Sequence, residues 1–318
     1  MIGTVFKALG RRHMDVVLRT GGDLTVRIVE RPGLWMTPAE LAALSGDLRT
    51  VASRTLAAGS LTYGVFSGDM TRMADTIVTL VRRADGTPVA FNALAVMQVA
   101  TQPQPTEVLH LGLVMVDPDE RSKNLSWVLY GLTCFLVFVR HQFRPVWISN
   151  VTQVPAVVGM VSEIFSDIWP GPGAGRRTLT HLLLARRIMA GQRHVFGVGP
   201  EAGVDEDRFV ITDAYTGGSD DLKKSFEAAA HHRDDLYNAF CHNQLDYDRG
   251  DDLLQLGRLD MSAIRKYLTR QVPKSALLGL LMTGALVALR RLILPVVHWS
   301  DSTRQFGSLR PRHGPRDV

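Results

Sequence analysis

Residues 114–126 (VMVDPDERSKNLS) constrain this 318-residue chain more than any other stretch. A β-rich run over 108–116 stops at Asp117-Pro118, because proline has no N–H to give to a strand ladder. A short polar turn follows, and residues 125–140 (LSWVLYGLTCFLVFVR) begin at once, with their single charge at the far end. A helix over these residues is apolar on nearly every face and must be buried. A strand that feeds directly into a buried helix calls for a layered architecture, with helices packed on a sheet.

The flanking segments supply the layers. Residues 24–29 (LTVRIV) alternate as a strand does. Thr37-Pro38-Ala39-Glu40 is a capping box with proline at the first helical position. It opens a helix to about Ala58, with Leu41, Leu44, Leu48, Val51 and Leu56 on one side and Gly59 at its end. Residues 76–82, a turn at 84–87 and residues 89–100 predict a β-hairpin. Residues 146–149 read as a strand and 154–165 as a helix. The order β, α, β, β, β, α, β, α within about 145 residues predicts an α/β fold, a mixed β-sheet flanked by helices.

Further on, 171–175 (GPGAG) reads as a loop, 178–189 as a basic amphipathic helix and 209–212 as a strand. From about Asp220 the chain turns acidic and is expected to be helical. These signals divide it into a basic N-terminal segment (1–23), a main α/β domain (24–210), an acidic helical extension (211–272) and an apolar helix with a basic tail (273–318). Residues 201–252 carry 14 acids and 5 bases, so the chain's net charge of +5 hides a strongly basic remainder.

Several classes are excluded. The bases are scattered or terminal and the centre is acidic, which leaves no nucleic-acid surface. Neither a G-x-S-x-G elbow nor a P-loop is present. Two cysteines cannot make a disulfide scaffold and fit a reducing compartment, and Cys134 reads as an inert buried thiol. His231-His232 and Cys241-His242 match no zinc spacing. The run 246–252 lacks the twelfth-position glutamate of a calcium loop, so no metal is expected.

The chemistry centres on the turn after Val116. Its backbone N–H groups, and those of the helical turn that follows, lack intrahelical partners, and the helix dipole favours negative charge there. Arg121 and Lys123 add two cations. A phosphate or pyrophosphate fits such a site; a capped surface turn without a ligand is the alternative.

Val116, Pro118, Arg121 and Leu125 form the pattern V-x-P-x-x-R-x-x-x-L. In this order of elements it resembles motif A of the GCN5-related N-acetyltransferase superfamily, over roughly residues 24–200. The resemblance implies that Arg121, Ser122, Lys123, Asn124, Leu125 and Ser126 bind the pyrophosphate of an acyl-coenzyme A. It also implies that the strand at Met115 and Val116 holds the pantetheine arm by its backbone. Asn124 and Ser126 replace the glycines of the family's phosphate loop. Asparagine can take a left-handed backbone and serine caps helices. An acyl carrier protein, with one phosphodiester, needs fewer donors and is the other possible acyl donor.

In such enzymes an amine attacks a thioester directly, which requires a base near the carbonyl carbon and a proton donor for the thiolate. His110 stands in the register where many family members place a glutamate base, and an imidazole ordinarily titrates near working pH. A satisfied polar strand position is its other reading. Glu107 borders it, and Glu163 is an outer candidate. Residues 150–165 contain no tyrosine, the family's frequent proton donor, and Tyr130 and Ser149 are the substitutes.

Residues 276–289 (ALLGLLMTGALVAL) run fourteen positions without a charge. As a helix they cover roughly 21 Å, short of the roughly 30 Å hydrocarbon core of a bilayer. With Lys274 before them and Arg290 and Arg291 after, an interfacial or re-entrant element is expected, ahead of a buried core helix or a span. The tail arginines 304, 310, 312 and 316 fit an anionic surface nearby. The first 30 residues lack the apolar stretch of a secretory signal. Joined to the resemblance, these features imply an N-acyltransferase at the cytoplasmic face of a membrane. It would move a long acyl chain from acyl-coenzyme A, or from an acyl carrier protein, to a lipid-like amine such as a sphingoid base. In overall character it looks like the bacterial ceramide synthases. An acyltransferase for soluble amines or amino acids, and a non-catalytic membrane-associated module, are the alternatives.

Overall fold

The computed structural model describes residues 13–20, 23–56, 62–67, 69–101, 104–123, 125 and 127–297. β1 (Asp15–Thr20) and β2 (Leu24–Glu30) are antiparallel, with Asp15 opposite Val29. Residues 15–20 therefore extend the sheet rather than belong to a separate basic segment. α1 (Pro38–Thr55) starts at the expected capping box, where Glu40 Oε2 accepts the Thr37 N–H at 2.8 Å. Leu41, Leu44, Leu48 and Val51 are its buried face. The helix stops at Thr55; Gly59 lies outside the described residues. α2 (Met70–Ala74) leads into the hairpin of β3 (Thr76–Arg83) and β4 (Pro88–Val99). Gly86, at φ +89°, closes it, and the Arg83 N–H reaches the Thr87 carbonyl at 2.9 Å.

The single strand expected over 108–116 is broken into β5 (Thr106–His110) and β6 (Val114–Val116). Ala95 of β4 is opposite His110 and Asn92 is opposite Val114, so residues 111–113 face only two residues of β4. This is a β-bulge, which bends the strand and interrupts its pairing. Gly112 at its centre presses on β4, where a Cβ would lie 2.3 Å from the Ala93 carbonyl oxygen.

A 3-10 turn at Pro118–Lys123 follows. The helix expected from Leu125 starts as a π-turn, Trp127–Leu132, and becomes α3 (Thr133–Arg140). The Asn92 amide and the Thr133 hydroxyl both bind the Leu129 carbonyl, competing donors that accompany the wider turn. β7 (Val146–Thr152) runs past the expected Ser149, and α4 (Pro155–Ile164) comes next. Then follow β8 (Ser166–Trp169), α5 (Leu179–Gly191), β9 (Gly203–Asp205) and β10 (Val210–Thr212). The chain continues through α6 (Asp235–Gln244), β11 (Asp252–Leu259), α7 (Met261–Arg270) and α8 (Lys274–Val297).

Among the described residues the strands form one mixed sheet, β1-β2-β3-β4-β5-β7-β11-β10-β9, with β6 on β4 and β8 on β11. Only β5 and β7 pair in parallel. β11 pairs with β7 from Leu253 to Leu259, so 211–272 is not a helical extension and the sheet runs across the expected boundary near 210. Leu253, Leu254, Leu256 and Leu259 bury both faces of that strand, a pattern only a central strand needs.

On one face Leu129, Leu132, Phe135 and Phe138 pack with Ile28, Leu94 and Leu109. On the other, α1 covers Val78, Leu80 and Phe91, and Leu184 and Ile188 of α5 cover Met97, Val108 and Leu256. α8 lies along α3: a Cβ on Gly284 would stand 2.9 Å from the Phe135 ring, and Leu280 and Val287 are buried. Among the described residues no helix is long and apolar enough to cross a membrane. The outward face of α8 nevertheless exposes Leu278 (70%), Leu281, Met282 (66%), Leu286 and Leu289.

Candidate active site

The bulge positions the site. Up to His110, β5 holds β7 in parallel register, with His110 opposite Ser149. Past it, β6 pairs with β4 alone while β7 keeps only its pairing with β11 on the other edge, so the sheet opens between β6 and residues 150–152. The Ala93 N–H bonds to Leu113 and the Asp117 N–H to Val89, which turns the backbone groups of residues 113, 115 and 117 toward β4. Those of Val114 and Val116 therefore face the opening.

A cavity of about 600 Å³ occupies this opening. Leu111, Gly112, Leu113 and Val114 line one wall, Asn150, Val151 and Thr152 the other, with Tyr63, Phe66, Tyr130, Phe196, Tyr215 and Asp252 around them. His110 lines it too, 3% exposed, with Nδ1 3.0 Å from Ser149 Oγ and its ring 5.2 Å from that of Phe196. Burial pushes its pKa down to about 4, so the imidazole is neutral at physiological pH. The expectation that it titrates near the working range is thereby corrected. Tyr130 donates its hydroxyl to the Gly112 carbonyl at 3.3 Å, and burial first, then Cys134 and Tyr63, raises its pKa. It is a protonated donor on the cavity wall. Burial likewise pushes the Cys134 thiol up to about 12.

The other expected residues divide. Ser149 is fully buried and its hydroxyl is engaged by His110, so it does not line the cavity. Glu107 also stays off the cavity. Burial alone would raise its pKa, but its bond to His141 (2.9 Å), with Arg31 and Gln98, outweighs this and holds it below the usual range. Glu163 is bound to Arg233 at 2.8 Å. Met115 points into the core under α1, and Thr55 Oγ1 sits 3.4 Å from its sulfur. Leu125 is a core residue.

At the turn, Arg121 is exposed, while Asn124 and Ser126 lie outside the described residues. The turn also carries buried acids that the sequence reading passed over. Asp117 accepts the Asp119 N–H (3.1 Å) and pairs with Arg54 (2.9 Å), and Glu120 pairs with Arg83 (2.6 Å). The Asp119 N–H, the Arg54 pairing and nearby Arg83 hold Asp117 below the usual carboxylate range despite burial. The turn thus satisfies part of its own donor set, so an incoming phosphate meets fewer open N–H groups than the motif implies.

The group that sequence reasoning missed is Asp252. It opens β11, is 6% exposed and accepts the Tyr215 hydroxyl at 2.8 Å. Burial raises its pKa to about 8, against the Tyr215 bond and with help from Asp251. The neighbouring loop is satisfied internally: Arg249 binds Asp251 at 2.7 Å, and Asp246 accepts the Arg249 N–H at 2.9 Å. The available signal was an acid placed directly before the apolar run LLQL.

No family model matches the sequence, and neither does any curated protein. Among solved structures the chain is similar to a mutant of spermidine N-acetyltransferase SpeG from Vibrio cholerae. The likeness has 13% identity, covers 44% of this chain and 77% of that one, and has a TM-score of 0.28. It is also similar to malonyl-CoA decarboxylase from Agrobacterium vitis, at 12% identity over 88% of this chain and 70% of that one, with a TM-score of 0.29. At these TM-scores the likenesses assign neither family nor activity.

Proposed function

We propose that this chain is an N-acyltransferase that moves an acyl group from a pantetheine thioester to an amine. The observation that carries the reading is the opening of the sheet at the Gly112 bulge, where the backbone of Val114 and Val116 faces the opening and Val114 lines a cavity that also holds His110 and Tyr130. A pantetheine arm laid in the opening would pair its amides with Val114 and Val116, as an added strand does. The thioester carbonyl would then sit beside the cavity. The amine nitrogen attacks the carbonyl carbon, the C–N bond forms, the C–S bond breaks, the Tyr130 hydroxyl gives its proton to the departing thiolate, and the nitrogen's surplus proton replaces it on Tyr130. Neutral His110 holds β5 to β7 through Ser149 and shapes the wall.

The donor is acyl-coenzyme A or an acyl carrier protein, with Arg121 and Lys123 at its phosphate. The self-satisfied acids of the turn favour the donor with fewer phosphates. An apolar wall of Val151, Val154, Val157 and Met160 supports a long-chain acyl group and a lipid-like amine. The exposed leucines of α8, flanked by Arg265, Lys266, Arg270 and Lys274, support work at an anionic membrane surface.

The test is thiol release by the purified chain with acetyl- and palmitoyl-coenzyme A in turn. Each would be offered a sphingoid base and a panel of amino acids, and the products identified by mass spectrometry. A long-chain amide of the sphingoid base is the expected result. Acetylation of a soluble amine would remove the lipid reading, and silence with every coenzyme A and carrier thioester would remove the enzyme.

A further inference from the structure

We infer that Asp252, steadied by Tyr215, binds the acceptor amine as its ammonium ion and takes its proton, an inference that rests on the acyl-transfer reading above. Asp252 stands opposite Ile211 of β10, and its neighbour Leu253 pairs with Thr152, the last residue of β7. It therefore sits where the opening between β6 and β7 ends in the cavity. Among the described residues no cation pairs with it: the nearby guanidinium, Arg249, is taken by Asp251 at 2.7 Å. The groups facing it are Tyr215, Asp251 and the phenols of Tyr63 and Tyr247, both of which feel its charge. Lys224 lies on the rim of the same cavity.

A carboxylate so buried is stable only when a cation joins it. A ligand that brings a primary ammonium on an apolar chain meets both requirements of this cavity. Its charge goes to Asp252, and its chain goes to Val151, Val157 and Met160. One ammonium proton passes to the carboxylate, which frees the nitrogen lone pair. That nitrogen attacks the thioester carbonyl, the C–N bond forms and the C–S bond breaks. The nitrogen's surplus proton reaches the thiolate through the Tyr130 hydroxyl, and Asp252 later returns its own to solvent. Burial matches this carboxyl to the task, since its pKa of about 8 lies far closer to an alkylammonium than the value of about 4 at His110.

The test compares binding of n-hexylammonium and n-hexanol to the full chain by calorimetry. The wild type is expected to prefer the ammonium at least about tenfold, and Asp252→Asn to erase the preference while leaving hexanol binding unchanged. Tyr215→Phe removes the bond that lowers the Asp252 pKa, so its ammonium binding is expected to persist with a midpoint at higher pH. Asp252→Asn that discriminates as the wild type does would overturn the site. Turnover supplies the second arm. With a hexylamine acceptor the Asn variant should lose about 100-fold, whereas hydroxylamine, already neutral near pH 7, should be acylated at close to the wild-type rate. Equal losses with both acceptors would overturn the proton-transfer role. Wild-type silence toward every amine would count against acyl transfer itself, and the binding comparison would still decide the site.

Discussion

At the scale of single residues, Gly112 does what no other residue can. It lets the chain turn against β4 and releases β6 from β7, so the opening exists because of a missing side chain. Gly112→Ala drives a methyl group into a backbone carbonyl and should cost about 1–3 kcal/mol in chemical denaturation, with turnover falling further than stability. Tyr130→Phe keeps the ring and removes the donor. Its expected signature is a fall in kcat of about 100-fold with the donor KM little changed, and an unchanged kcat would exclude Tyr130 from proton transfer. Asp252 links site and stability. Its folded pKa of about 8 exceeds the unfolded value of 3.8, so its stabilising protonation is fully present below about pH 4 and lost as pH rises toward 8. Asp252→Asn should therefore raise the melting temperature at pH 7 and leave it nearly unchanged at pH 4. A destabilised Asn variant at pH 7 would contradict the burial argument.

At the scale of elements, what could be read from the sequence followed the apolar pattern. The capping box at Thr37, the hairpin of β3 and β4, and the buried helix after Pro118 all appear, because each rests on local chemistry that tertiary packing leaves alone. The break at residues 111–113 was illegible, since Leu111-Gly112-Leu113 continues the alternation and only contact with Ala93 shows that a residue is surplus. β11 was hidden because Asp251 and Asp252 continue an acidic run, while its pairing with β7 spans about a hundred residues of sequence. α8 was ambiguous because leucines occupy two of its faces. Leu280 and Val287 belong to the core, so a cut near Pro273 would strip packing as well as any membrane contact. Replacing exposed Leu278, Leu281 and Met282 by glutamate is the cleaner change. Stability should stay within about 0.5 kcal/mol, while sedimentation with anionic vesicles should be lost. Unchanged sedimentation would mean that this face does not meet a membrane.

At the scale of the whole molecule, one sheet carries the candidate site. β6 (Val114–Val116) and β7 (Val146–Thr152) are near in sequence and β11 (Asp252–Leu259) is far from both, yet the three frame one cavity with His110, Tyr130 and Asp252 on its walls. Within the acidic stretch 201–252, Glu206 pairs with Arg186 and buried Asp251 with Arg249, whereas buried Asp252 lines the cavity. The most direct test is a crystal structure of the full chain with a non-cleavable S-alkyl thioether of coenzyme A. The expected result is a pantetheine arm between β6 and β7, its amides on the backbone of Val114 and Val116 and its sulfur beside Tyr130. A thioether bound elsewhere, or none bound at saturating concentration, would contradict acyl transfer at this opening.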